Sequence, residues 1–142
     1  MTLLSTLTIP SPHDGVWNLG PVPIRGYALS ILSRALVFAG RADEALMDAR
    51  AALDASTSAG TPETSAFARL ALAEAFEACG DRTQAARHIS RARAALLARA
   101  QGMPDEYRRT FLENIPEHRR TLELAAAWSA PELASSTDTP VR

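Results

Sequence analysis

The stretch Tyr27–Leu53, YALSILSRALVFAGRADEALMDARAAL, decides the fold, because a matching block, Phe67–Arg93, FARLALAEAFEACGDRTQAARHISRAR, follows at an offset of forty residues. Superimposed, the two blocks pair Tyr27 with Phe67, Leu32 with Leu72, Ser33 with Ala73, and Leu36 with Phe76. They also pair Gly40 with Gly80, Ala45 with Ala85, and Ala52 with Ala92. A period of this size in an alanine-rich, strand-poor chain signals helical hairpins that cannot bury their apolar faces alone and must stack. The fold expected is all-α, with no sheet: about six helices in antiparallel hairpins, wound into a right-handed superhelix.

The small residues carry that reading. Where two helices cross at about 8–10 Å, the contact point accepts nothing larger than Ala or Ser. Ser33, Ala45, Ala52, Ala73, Ala85 and Ala92 meet this demand at matched positions, and Gly40 and Gly80 supply left-handed stops. Leu29, Leu32, Ser33 and Leu36 lie on one face of the first helix.

Outward from these blocks, residues 1–22 scatter prolines and glycines without helical periodicity, and an irregular segment is expected there, with Trp17 able to dock on the first helix. A domain over 23–129 follows. Its hairpins are predicted at 23–55 and 62–101, with a capping hairpin at 104–129, and 130–142 reads as a flexible tail. Ser56–Gly60 is expected as a loop. Pro62, Pro104 and Pro116 suit first helical turns, and Pro131 marks a stop.

Composition excludes several classes. With 142 residues the chain makes one domain. Its net charge of −1 gives no general attraction to nucleic acid or an anionic membrane. All 15 basic residues are Arg. A single Cys79 allows no internal disulfide, and no signal peptide or spanning segment is visible, so a cytoplasmic location is expected. His13, His88 and His118 lack metal-ligand spacing, and no phosphate cradle, nucleophile elbow or carboxylate pocket appears. Cys79 reads as a packing residue. Neither an enzyme nor a cofactor or metal is expected. Arg87, Arg91 and Arg93 with His88 crowd one helix, but no aromatic platform alternates with them, which favours a solvated face over a nucleic-acid contact.

The spacing Ser33, Gly40, Ala45, Ala52 and its second copy Ala73, Gly80, Ala85, Ala92 resembles the tetratricopeptide repeat family. The period here is 40 rather than about 34. Phe111–Ala125, FLENIPEHRRTLELA, resembles the closing segment of such arrays in large bacterial multidomain signalling and transcriptional regulators. The resemblance implies a non-catalytic protein-interaction or regulatory module, part or relic of such a regulator. The alternative is a structural unit that self-associates through the exposed first helix, as a homodimer. It also implies a peptide groove on Tyr27, Ser30, Arg34, Val37, Phe38, Phe67, Leu70, Glu74 and Glu77, with Ala78 beside them. Arg34 and Glu74 hold equivalent positions and could instead pair with each other. The partner expected is a protein or peptide of unknown identity, with no membrane partner and nucleic acid disfavoured.

Overall fold

The computed structural model describes residues 18–19, 22–58, 60 and 62–135. Six helices follow one another: α1 Ile24–Phe38, α2 Ala42–Ser58, α3 Pro62–Ala78, α4 Arg82–Gln101, α5 Asp105–Glu113 and α6 Pro116–Ser135. The fold is all-α, built from antiparallel hairpins α1–α2, α3–α4 and α5–α6. Ahead of α1, Asn18–Leu19 (β1) and Val22–Pro23 (β2) pair as a two-residue antiparallel ladder, too small to form a layer. Trp17 lies outside the described residues, as does most of the segment expected to be irregular.

Each long hairpin turns by the same device. Gly40 and Gly80 take φ of 73° and 82°, a conformation a side chain resists. Gly40 N donates to Val37 O and Arg41 N to Leu36 O, at 3.1 and 2.9 Å. In the second copy Gly80 N donates to Glu77 O and Asp81 N to Phe76 O, at 3.0 and 2.9 Å. These paired bonds satisfy the orphan carbonyls that end a helix. Asp81 then caps α4 by accepting from Gln84 N.

The small-residue lattice is the packing surface. Ala45, Ala52, Ala73, Ala85 and Ala92 are fully buried, and so is Ser33, whose Oγ donates to Ala45 O across the α1–α2 contact at 2.8 Å. Leu36, Leu72 and Phe76 fill the spaces between them. Gly26 adds a contact the spacing did not single out. A Cβ there would sit 2.6 Å from Ser56 Oγ and 3.3 Å from Ala52 O, so α1 approaches α2 at glycine distance.

Three details depart from expectation. Leu32 is 48% exposed while its counterpart Leu72 is 3% exposed. The second hairpin has another hairpin on either side; α1 has none before it among the described residues. Helix α2 runs three residues beyond the expected boundary at 55, through Ser56, Thr57 and Ser58, so less of 56–60 is loop. Each of the three hydroxyls donates to the carbonyl four residues back, so none of them competes for the backbone of a turn. Helix α6 continues past Trp128 and Pro131 to Ser135, and nothing in the structure explains its tolerance of Pro131.

Candidate functional site

The groove lies between α1, α3 and α6 and encloses about 220 Å³. From α1 come Arg34, Val37 and Phe38, and from α3 Glu74, Glu77 and Ala78. Of the nine groove residues expected from sequence, the structure brings five together: Arg34, Val37, Phe38, Glu74 and Glu77. The other four lie elsewhere. Ser30 and Leu70 are fully buried, and Ser30 Oγ donates to Gly26 O at 2.8 Å. Phe67 is buried in the core with Leu70, Ala73 and Ile89. Tyr27 is exposed, but its ring packs on Phe67 at 5.0 Å rather than lining the groove. One side of each helix cannot serve both groove and core, and the core has taken Ser30, Phe67 and Leu70.

The third wall belongs to α6, which supplies Arg120, Leu124 and Trp128. Arg119, Arg120 and Glu123 are exposed, while Thr121, Leu124 and Ala125 bury one face of α6 and Trp128 packs against both apolar clusters. These positions are spaced i, i+3, i+4 and i+7, the same signal that defines the inner stripe of α1. That stripe could have revealed the wall.

Glu74 is the polar centre. Its Oε2 accepts from Arg34 Nε at 2.6 Å and its Oε1 from Arg120 Nε at 3.2 Å. The Glu74 side chain is 13% exposed, so both bonds act where water screens them only partly. Arg34 also holds its guanidinium 5.8 Å from the Phe67 ring centre, within reach of a cation–π attraction. Glu77 is neutralised by Arg82, 3.0 Å away. Two guanidiniums facing one carboxylate leave a surplus positive charge at the lip, above a floor of Val37, Leu124 and Trp128. The groove therefore sets positively charged hydrogen-bond donors beside an apolar floor.

A second cavity of about 340 Å³ lies between α3, α4, α5 and α6. Ala66, Leu96, Phe111 and His118 are among its walls, and His118 Nδ1 lies 2.7 Å from Phe111 O. Cys79 is exposed rather than packed, and slight desolvation of its thiol, then the charge of Asp43, push its pKa up. That is the wrong direction for a thiolate nucleophile. Among the described residues no three His, Cys, Asp or Glu side chains converge as metal ligands, and no helix is long and apolar enough to cross a membrane.

Comparison with known proteins returns one name repeatedly over short segments. The chain is 58% identical over 33 residues to the phosphatidylglycerol–prolipoprotein diacylglyceryl transferase of Mycobacteroides abscessus, a match covering 23% of this chain and 10% of that protein. The same enzyme of Corynebacterium glutamicum is 51% identical over 37 residues, 26% of this chain and 12% of the relative. That of Corynebacterium diphtheriae is 75% identical over 24 residues, 17% and 8% of the two chains. The chain thus spans about a tenth of the length of the curated relatives it matches. No protein-family model matches, and no solved structure does.

These findings correct the resemblance drawn above. The relatives are not named as tetratricopeptide proteins or signalling regulators, and they are not named as self-associating structural units. They are named as a transferase, against the expectation of a non-catalytic module. Their named lipid, phosphatidylglycerol, resides in bilayers, which removes the support for a cytoplasmic location. The physical reason for the error is plain. Small residues at helix crossings record close packing, which any stack of hairpins requires, so the lattice specifies an architecture and no activity.

Proposed function

We propose that this chain acts in the transfer of diacylglyceryl from phosphatidylglycerol to prolipoproteins, and that the α1–α3–α6 groove receives a segment of the prolipoprotein. The observation that carries this reading is the recurrence of one enzyme name among relatives 51–75% identical over 24–37 residues. The groove supports it by its chemistry. An acceptor that is itself a protein presents a peptide, and the Arg34–Glu74–Arg120 lip over Val37, Leu124 and Trp128 suits one.

The experiment is genetic. In a bacterium partly depleted of its own diacylglyceryl transferase, unmodified prolipoprotein accumulates. Expression of the full chain is expected to reduce that pool, and an Arg120→Glu variant, which reverses charge at the lip, is expected to reduce it less. An unchanged pool at matched protein levels would overturn the reading.

A further inference from the structure

The cavity between α3, α4, α5 and α6 has no part in the reading above. It holds about 340 Å³, inside the range of about 300–1,000 Å³ that small-molecule sites occupy. The α1–α3–α6 groove, at about 220 Å³, falls below that range. Ala66 on α3 and Ala95 and Ala98 on α4 stop at Cβ, which leaves the space open, while Leu96 and Phe111 line it with hydrocarbon.

Polar chemistry enters at two walls, His118 and Arg99. His118 Nδ1 lies 2.7 Å from Phe111 O. A carbonyl oxygen only accepts, so Nδ1 carries the proton, and in the neutral ring Nε2 is left as an acceptor. Among the described residues no protein donor is bonded to Nε2. The imidazole is also packed on the Phe111 ring, with centres 4.4 Å apart and planes tilted by 57°. Its orientation is thus set by two contacts to one residue. The guanidinium of Arg99 lies 6.0 Å from the centre of the same Phe111 ring, and a cation lining a cavity favours an electron-rich aromatic occupant.

We propose that this cavity binds an uncharged aromatic alcohol of about two fused rings, whose hydroxyl donates to His118 Nε2. The size follows from the volume, since at about 30 Å³ for each water-sized group the space takes roughly eleven non-hydrogen atoms. An aromatic body gains ring contacts with Phe111 and His118 and the attraction of Arg99, which an aliphatic chain does not. A carboxylate fits less well. It has no proton to give Nε2, and it would lose its hydration against alanine and leucine. The inference stands apart from the transfer reading, and neither depends on the other.

The test is equilibrium dialysis of the full chain with naphthol and with its methyl ether, which keeps the rings but cannot donate. Naphthol is expected to saturate at one ligand per chain and to bind about three- to tenfold more tightly than the ether, the effect of one hydrogen bond. His118→Phe keeps a ring in that wall and removes Nε2. It should bring naphthol down to the affinity of the ether and leave the ether unchanged, whereas a merely structural role for His118 would weaken both alike. Ala95→Phe, at an exposed position, fills the cavity and should abolish binding of both ligands. Phe38→Ser, on the wall of the other groove, should change neither. Circular dichroism shows whether each variant folds; if His118→Phe does not, the two ligands and Ala95→Phe decide. Equal affinity for naphthol and its ether overturns the proposal. So does binding that survives Ala95→Phe or is lost in Phe38→Ser, or tighter binding of naphthoate, which would mean a site for anions at Arg99.

Discussion

Arg34 Nε donates to Glu74 Oε2 across 2.6 Å, and the two residues hold the same position in successive hairpins, forty residues apart. One repeat position thus carries opposite charges in its two copies, and stacking brings them together. Because Arg120 reaches the other oxygen, the pair also fixes α6 against the groove. Glu74→Gln is expected to destabilise the chain by about 1–2 kcal/mol, since it weakens two charge-assisted bonds at a carboxylate largely out of solvent. Glu123 is an exposed partner 3.8 Å from Arg119. Its replacement, Glu123→Gln, is expected to cost less than about 0.5 kcal/mol. Urea denaturation of the two variants checks the contrast; equal losses would refute it.

Gly26 offers a test in which two effects have opposite sign. Helix propensity alone predicts that Gly26→Ala stabilises α1 by about 1 kcal/mol. The α1–α2 contact predicts the reverse, because the new methyl meets Ser56 Oγ at 2.6 Å. Overpacking of that kind costs about 1–3 kcal/mol. Adding Ser56→Ala removes that atom and should recover part of the loss. Thermal melts of the single and double variants decide which effect wins.

The crossing lattice is tested by two neighbours on α2. Ala52 is fully buried and Ala51 is exposed. Ala52→Leu is expected to cost about 1–3 kcal/mol by overpacking, and Ala51→Leu close to nothing. Similar denaturation midpoints for both would mean that the hairpins do not meet at Ala52.

His88 gives the stability a pH dependence. Burial first, then the charges of Arg69, Arg91 and Arg87, hold its pKa below the ordinary histidine value of 6.5. The unfolded chain therefore binds more protons than the folded one between the depressed value and about 6.5. Stability is present above that window and is lost as pH falls through it. Replacing His88 by Phe keeps a ring on Phe76 and removes the titration, so the variant should lose less stability between about pH 7 and about pH 5.5. Denaturation midpoints at the two pH values measure this, and an unchanged difference would assign the proton elsewhere.

The hairpin architecture was legible because its determinants are local. Gly40 and Gly80 end helices whichever neighbours they have, and Ala45 or Ala85 must be small wherever two helices cross. What was not legible depends on which element covers which face. Leu32 and Leu72 are the same residue at the same repeat position, yet only one is buried, because what lies beside each hairpin differs. The groove divides in the same way. Arg34, Val37, Phe38, Glu74 and Glu77 converge as their helix positions imply, while Ser30, Phe67 and Leu70 belong to the core. Arg120, Leu124 and Trp128 were not singled out, although Thr121, Leu124, Ala125 and Trp128 on α6 carry the same helical spacing as the inner stripe of α1. Activity was least legible, since a packing lattice is indifferent to chemistry.

The most direct measurement supplies phosphatidylglycerol labelled in its acyl chains, in vesicles, to a prolipoprotein and follows the label into protein. With the full chain added, alone or beside a full-length transferase, label in the prolipoprotein is expected to rise above the same mixture without it. Trp128→Ala, which opens the groove floor, is expected to diminish that rise. Identical labelling with and without the chain in both mixtures would contradict a role in diacylglyceryl transfer.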